Sequence, residues 1–192
     1  ANKKVKAVVG AAVNLLAGIP SVVYGLVGML VLVPGIRILF NLPDGASLLA
    51  SIIVLAVMIL PSIIKMSMTA LDAVPREYEE GSLALGATTT ETYFKVSVPA
   101  AKSGIAAAVV LGVGRAIGET MAVIMVAGNV ANMPTLFGSV RFLTTAVASE
   151  MSYSSPGSLQ RNALFSIALV LFLFIMLINA TLNFLLKRDK EK

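Results

Sequence analysis

Two charged residues, Arg115 and Glu119, stand inside an otherwise apolar stretch covering residues 104–132. They are four apart, a spacing that puts two side chains on one face of a helix. An ionised side chain costs on the order of 3 kcal/mol or more in lipid, so both belong toward a protein interior or a water-filled path. Two chemistries follow. The pair can satisfy itself and merely fix the rotation of its helix. Arginine before glutamate is the weaker order for such a pair, however, which leaves the guanidinium open to another anion. Its planar fork matches the oxygens of phosphate or sulfate.

Covalent chemistry finds little support. Cysteine, histidine and tryptophan are all absent. That excludes disulfide scaffolds, Cys/His zinc sites, thiol nucleophiles and histidine acid–base work. A membrane enzyme using Glu119 as acid or base would need a second polar group at the same depth, and beyond Arg115 none stands there. The phosphate-loop pattern G-x-x-x-x-G-K-S/T is missing, so any ATP hydrolysis falls to another subunit, and no cofactor is called for. Gly112-Val113-Gly114 with Gly118 superficially matches a dinucleotide fingerprint, but that motif needs a preceding strand and an open turn. Close helix packing explains the glycines better. Gly104, Ala108 and Gly112 form one small-residue stripe at four-residue spacing, and Gly114, Gly118 and Ala122 another.

The elements that hold these residues are dictated by composition. Of 192 residues, 57% are hydrophobic and only 13% charged, with a mean hydropathy of +0.90. Soluble domains carry about 25% charged residues, so this chain belongs in a bilayer. Uncharged runs predict an all-α integral membrane protein with four membrane helices, at about 7–33, 46–67, 100–128 and 162–186. Between them lie a loop at about 69–99 and another at about 129–161, the latter with a short helix from Phe142 to Met151. Four crossings put both termini and the 69–99 loop on one side. That side holds Lys3, Lys4, Lys6, Lys65, Arg76, Lys95, Lys102, Lys187, Arg188, Lys190 and Lys192, against Arg37, Arg141 and Arg161 opposite. Eleven bases against three set that side as cytoplasmic. The net charge of +5 is therefore a topology signal, and its scatter argues against nucleic acid.

Smaller features complete the pattern. The basic start resembles a secretory leader, but the apolar run is too long for one. Ala1 is not an initiator methionine, so the chain is expected to be the later part of a longer protein. Asn14, Ser21 and Tyr24 flank a kink expected at Pro20, where they either shape a gate or satisfy freed backbone groups. Met58, Met121 and Met125 read as core fillers or lipid-facing residues, and Asn179 and Asn183 as interhelical hydrogen-bond formers.

The 69–99 loop is polar yet patterned. Pro75 suits a helix start, with Glu77, Glu79 and Glu80 complementing the positive end of the dipole. Gly86 suits a helix stop, and Thr88, Thr89 or Thr90 can cap a second short helix carrying Tyr93 and Phe94. The exposed Tyr, Phe and Leu side chains predict a partner surface. This stretch resembles the EAA loop of ABC-importer permeases: E-A-A, three residues, G, nine residues, then I-x-L-P. Glu80-Gly81-Ser82 falls at E-A-A, Gly86 at the glycine, Val96 at the isoleucine and Val98-Pro99 at L-P. Glycine and serine replace the alanines.

The resemblance narrows at GRAIGETMAVIMVAGN, residues 114–129, together with LAGIPSVVYG, residues 16–25. Both are similar to the PstC-type permeases of phosphate-specific ABC importers. That family usually has six membrane helices, of which this chain holds the last four. What the resemblance implies is the transmembrane domain of a type I importer, in a bacterial inner membrane. The loop would carry a coupling helix docked on cytoplasmic ATP-binding subunits, using Glu79, Glu80, Gly81, Ser82, Leu83, Gly86 and Ala87. Arg115 and Glu119 would line the substrate path. The remaining partners would be a second, similar permease subunit and a periplasmic or lipid-anchored phosphate-binding protein. Sulfate or molybdate as cargo, or a non-transporting assembly or sensor subunit, are the alternatives.

Overall fold

The computed structural model describes residues 3–190; Lys192, counted above among the cytoplasmic bases, lies outside them. Its helices are α1 (Lys3–Gly18), α2 (Ser21–Val27), α3 (Val33–Leu39), α4 (Leu48–Asp72), α5 (Arg76–Ala84), α6 (Thr89–Thr92), α7 (Val98–Ala100), α8 (Lys102–Gly118), α9 (Met121–Val126), α10 (Leu143–Glu150) and α11 (Leu159–Lys190). Wide π-type turns join α2 to α3 at Gly28–Leu32 and α6 to α7 at Tyr93–Ser97. Ser21–Leu39, Leu48–Asp72 and Leu159–Thr181 are long and apolar enough to cross a membrane. Thr89–Ala100 and Lys102–Gly118, bent by 65°, make a fourth if the pair counts as one span. The fold is all-α and membrane-embedded.

Prolines accompany several of the helix irregularities, whereas Pro61 lies inside the unbroken α4. The helix expected over 7–33 stops at Gly18 and restarts at Ser21, with Pro20 extended at φ −60° and ψ 144°, and then runs on to Leu39. Tyr24 Oη donates to the Leu16 carbonyl at 2.8 Å, supplying a partner for the backbone at the break. A helical proline lacks a donor and its ring collides with the carbonyl four residues back, at a cost of about 3 kcal/mol. For Pro34 and Pro99 that carbonyl belongs to Leu30 and Lys95, and each sits in one of the two π-type turns. The widened turn gives the ring room.

The start of α4 shows how a buried helix end is satisfied. Ser47 caps it, accepting from Ala50 N at 3.3 Å while its hydroxyl donates to the Gly45 carbonyl at 3.0 Å. The amides of Ser47, Leu48 and Leu49 donate to carbonyls of Val126, Gly138 and Leu136 at 3.0, 3.1 and 2.9 Å. Residues 126–140 therefore clamp the end of α4, and one parallel bridge, Gly128 to Val140, runs alongside. Around this junction sits the main apolar core of Ile36, Ala50, Val54, Met58, Ala122 and Val126. Between helices in lipid there is no hydrophobic driving force, so fit and hydrogen bonds hold them. Gly104 and Gly112 permit that fit: a Cβ on either would stand 2.5 Å from Ala70 or Ile63 of α4. The second expected stripe is broken, because α8 ends at Gly118 and Ala122 packs instead against Gly25 of α2.

The other boundaries differ modestly from expectation. α4 continues to Asp72, absorbing the first residues of the 69–99 loop. The helix expected over 100–128 is divided into α8 and α9. Met58 is a core filler and Met121 is exposed. Asn179 rests against Gly114 of α8, with no hydrogen bond to its side chain among the described residues; the Asn183 side chain is outside them. α11 presents Phe165, Leu169, Phe172 and Leu173 outward, as a lipid-facing helix does.

Close approach makes Gly45 the sharpest test of this packing. A Cβ there would lie 1.9 Å from the Val33 carbonyl oxygen, whereas one on Gly35 meets nothing within 4 Å. Gly45→Ala is expected to destabilise the detergent-solubilised protein by about 2 kcal/mol or more. Gly35→Ala should leave it unchanged or slightly more stable. Thermal unfolding of the two variants side by side checks this.

Candidate functional site

Arg115 and Glu119 do not share a helix face. α8 ends at Gly118, and Glu119 is extended at φ −69° and ψ 133°. The Glu119 carboxylate turns onto the next helix, accepting from Ala122 N at 3.1 Å, while its carbonyl accepts from Thr144 Oγ1 at 3.1 Å. This carboxylate caps α9, where the positive end of the helix dipole favours an anion. It borders an apolar cavity of about 350 Å³ lined by Leu55, Phe142, Leu143 and Phe174. The ion-pair alternative therefore fails for a backbone reason: the helix ends between the partners.

Arg115 faces elsewhere. Its Nη1 donates to Ser62 Oγ at 3.0 Å, across the contact between α8 and α4. Both line a cleft of about 410 Å³ with Lys65, Ala17, Met66, Ala108, Leu111 and Gly112. No carboxylate is among the residues lining it. The guanidinium has a neutral hydroxyl partner and no ion pair among the described residues, so its charge remains unneutralised. Such a group can hold an oxyanion through charge-assisted bonds. Sequence reasoning missed Ser62 and filed Lys65 under topology. A signal was available, since Ser62 and Lys65 are three apart in an apolar helix and so share a face. What was not legible was that this face meets α8.

The 69–99 loop is compact and internally braced. α5 starts after Pro75 with Glu77 and Glu79 in its first turn. Gly86, at φ +87°, closes it: Gly86 N donates to the Leu83 carbonyl at 2.9 Å and Ala87 N to that of Ser82 at 3.2 Å. That pair of bonds needs the left-handed conformation glycine adopts freely. Thr88 then caps α6, in a reciprocal capping box with Glu91. Two further bonds tie α5 to the foot of α7. Ser97 Oγ donates to Glu79 Oε1 at 2.9 Å, and the hydroxyls of Ser82 and Thr92 meet at 3.0 Å. Thr92 and Ser97 are buried at 3% and 2% exposure, while their partners Ser82 and Glu79 are half-buried and exposed, respectively. Glu80, Gly81, Leu83 and Gly86 stay exposed, with Leu85, Tyr78 and Phe94 beside them.

A family model described as binding-protein-dependent transport system inner membrane component matches residues 1–189. The chain belongs to that family. It is similar to a probable ABC transporter permease protein, YqgH of Bacillus subtilis strain 168. They are 48% identical over 178 residues, covering 90% of this chain and 58% of that one. It is also similar to the phosphate transport system permease protein PstC of Mesorhizobium japonicum, 36% identical over 200 residues, covering 94% and 61%. The chain thus spans about three-fifths of these relatives' length. Among solved structures, it aligns with the MetNI methionine ABC transporter in an inward-facing conformation. The TM-score is 0.71 at 23% identity, over 98% of this chain and 77% of that one. At that identity the likeness carries the fold alone. Membership of the inner membrane component family fits the three long apolar helices and the bent pair that can make a fourth span.

Two glycines of the loop should behave oppositely. Gly86→Ala places a Cβ at positive φ and is expected to cost about 1 kcal/mol of local stability. Gly81→Ala enters open space inside α5 and should gain up to about 1 kcal/mol. Hydrogen exchange of α5 amides reads both. At the candidate path, Glu119→Ala is expected to lose about 1 kcal/mol through α9, while Glu119→Gln keeps an acceptor and loses less. Melting temperatures of the two variants check that order.

Proposed function

We propose that this chain is the permease subunit of an ATP-driven, binding-protein-dependent importer of inorganic phosphate. It forms the translocation path and couples to cytoplasmic ATP-binding subunits, and it carries out no covalent chemistry itself. The observation that carries the reading is Arg115: an exposed guanidinium at the contact of α8 with α4, bonded among the described residues to a neutral hydroxyl, in a cleft lined by no carboxylate. The PstC relatives support phosphate among the tetrahedral oxyanions. Arginine geometry alone serves sulfate or molybdate equally.

The rest of the mechanism rests on the coupling segment. With both ends and residues 69–99 on the cytoplasmic side, the exposed Glu80, Leu83, Leu85 and Phe94 surface would meet the ATP-binding subunits. Motion of α5 would reach α7 and α8 through the Glu79–Ser97 and Ser82–Thr92 bonds. A second permease subunit would complete the path, and a phosphate-binding protein would dock on 34–45 and 129–161. Glu119 takes the role of a structural cap near the path rather than of a substrate ligand.

Uptake of labelled phosphate into vesicles holding the whole complex, with binding protein outside and the ATP-binding sites supplied with ATP, tests the reading. Arg115→Gln is expected to lower uptake by about 10- to 100-fold, the worth of one or two charge-assisted bonds. Sulfate and molybdate should not compete. Uptake of another oxyanion in place of phosphate would overturn the cargo, and full uptake by the variant would overturn the site.

A further inference from the structure

Ser62, Lys65, Thr69 and Asp72 are the polar positions of one face of α4. At 3.6 residues per turn, the four fall within about 80° of arc, a polar stripe down an apolar helix. Lys65 borders two adjoining clefts. One is the Arg115 cleft; the other, of about 150 Å³, is lined by Gly10, Val13, Asn14, Met68, Thr69 and Asp72. α1 forms the opposite wall of both, through its small or short side chains at Gly10, Asn14 and Ala17. The Lys65 ammonium has neither ion pair nor hydrogen bond among the described residues. Thr69 Oγ1 donates back to the Lys65 carbonyl at 3.1 Å.

We propose that this stripe is the inner half of the anion path, and that Lys65 is the second cation that takes the anion from Arg115. The proposal rests on the oxyanion-importer reading and on the orientation given there. Charge order supports it. With a rise of 1.5 Å per residue, Lys65 sits about 4.5 Å and Asp72 about 15 Å inward of Ser62. An anion leaving Arg115 and Ser62 therefore meets a cation one step inward. It then meets the hydroxyl and amide of Thr69 and Asn14, and last a carboxylate that disfavours holding it. Conduction needs sites that bind well enough to admit an ion and weakly enough to release it, and this sequence of charges grades the two. A lysine that merely anchors α4 at the membrane surface would need no polar cleft on either side of it.

The whole reconstituted complex tests this in two independent ways. These 192 residues hold no cysteine, so Thr69→Cys gives them a single thiol, any cysteine elsewhere in the full chain being replaced first. With the other subunits free of accessible thiols, that residue is expected to react with an anionic methanethiosulfonate at least about fivefold faster than with a cationic one. Lys65→Gln should collapse the preference toward one. In uptake assays, Lys65→Gln is expected to lower phosphate entry about tenfold while binding-protein-stimulated ATP hydrolysis persists, with Lys65→Arg restoring most of it. An unreactive Thr69→Cys with Lys65 intact, a preference that survives Lys65→Gln, or unchanged uptake by Lys65→Gln would overturn the path. If the thiol behaves as expected but only another oxyanion enters, with the same dependence on Lys65, the path stands and the phosphate assignment falls.

Discussion

Backbone groups freed at a helix break have no water to turn to inside a bilayer, and this fold is arranged around supplying them with partners. Three solutions recur. A side chain reaches back, as Tyr24 does to the Leu16 carbonyl. The helix widens ahead of a proline, as it does before Pro34 and Pro99. Irregular chain is brought in as a partner, as residues 126–140 are brought to the first amides of α4. The third solution binds residues 47–49 to residues 126–138 and gives the core a fixed junction.

The same constraint reassigns Glu119. Once α8 stops at Gly118, α9 must begin with unpaired amides in an apolar setting, and the nearest carboxylate satisfies one of them. A charge expected on a transport path thus serves the backbone, while Arg115, four residues earlier, is left without a counterion among the described residues. The division has a functional consequence under the proposed reading. A path carrying an anion works against a carboxylate beside its cation, and the helix break moves that carboxylate into a separate, apolar cavity.

Rigidity is distributed to match. The 69–99 loop has exposed apolar side chains on its outer face and the buried hydroxyls of Thr92 and Ser97 on its inner face, where it is bonded toward α7. Two part-buried hydrogen bonds add direction to this attachment beyond apolar contact. Farther along, the small residues Gly104, Ala108 and Gly112 let α8 lie directly against α4, so a displacement of one helix is passed to the other.

Sequence alone determined the solvent, the apolar runs that become the three long spans and the punctuation of the 69–99 loop, because each depends on local composition or short spacing. Apolar runs read as spans; Gly86 and Thr88 read as stop and cap, and the structure places them so. The first small-residue stripe was legible for the same reason. Tertiary structure decided what depends on distant partners. Four-residue spacing put Arg115 and Glu119 on one face only while the helix was assumed to continue, and what ends it includes Thr144, 25 residues away. Ser62 drew no reading and Lys65 read only as a topology lysine until α4 was laid against α8 and α1. Periodicity tells which residues share a face, but which element that face meets is settled by packing across the whole chain.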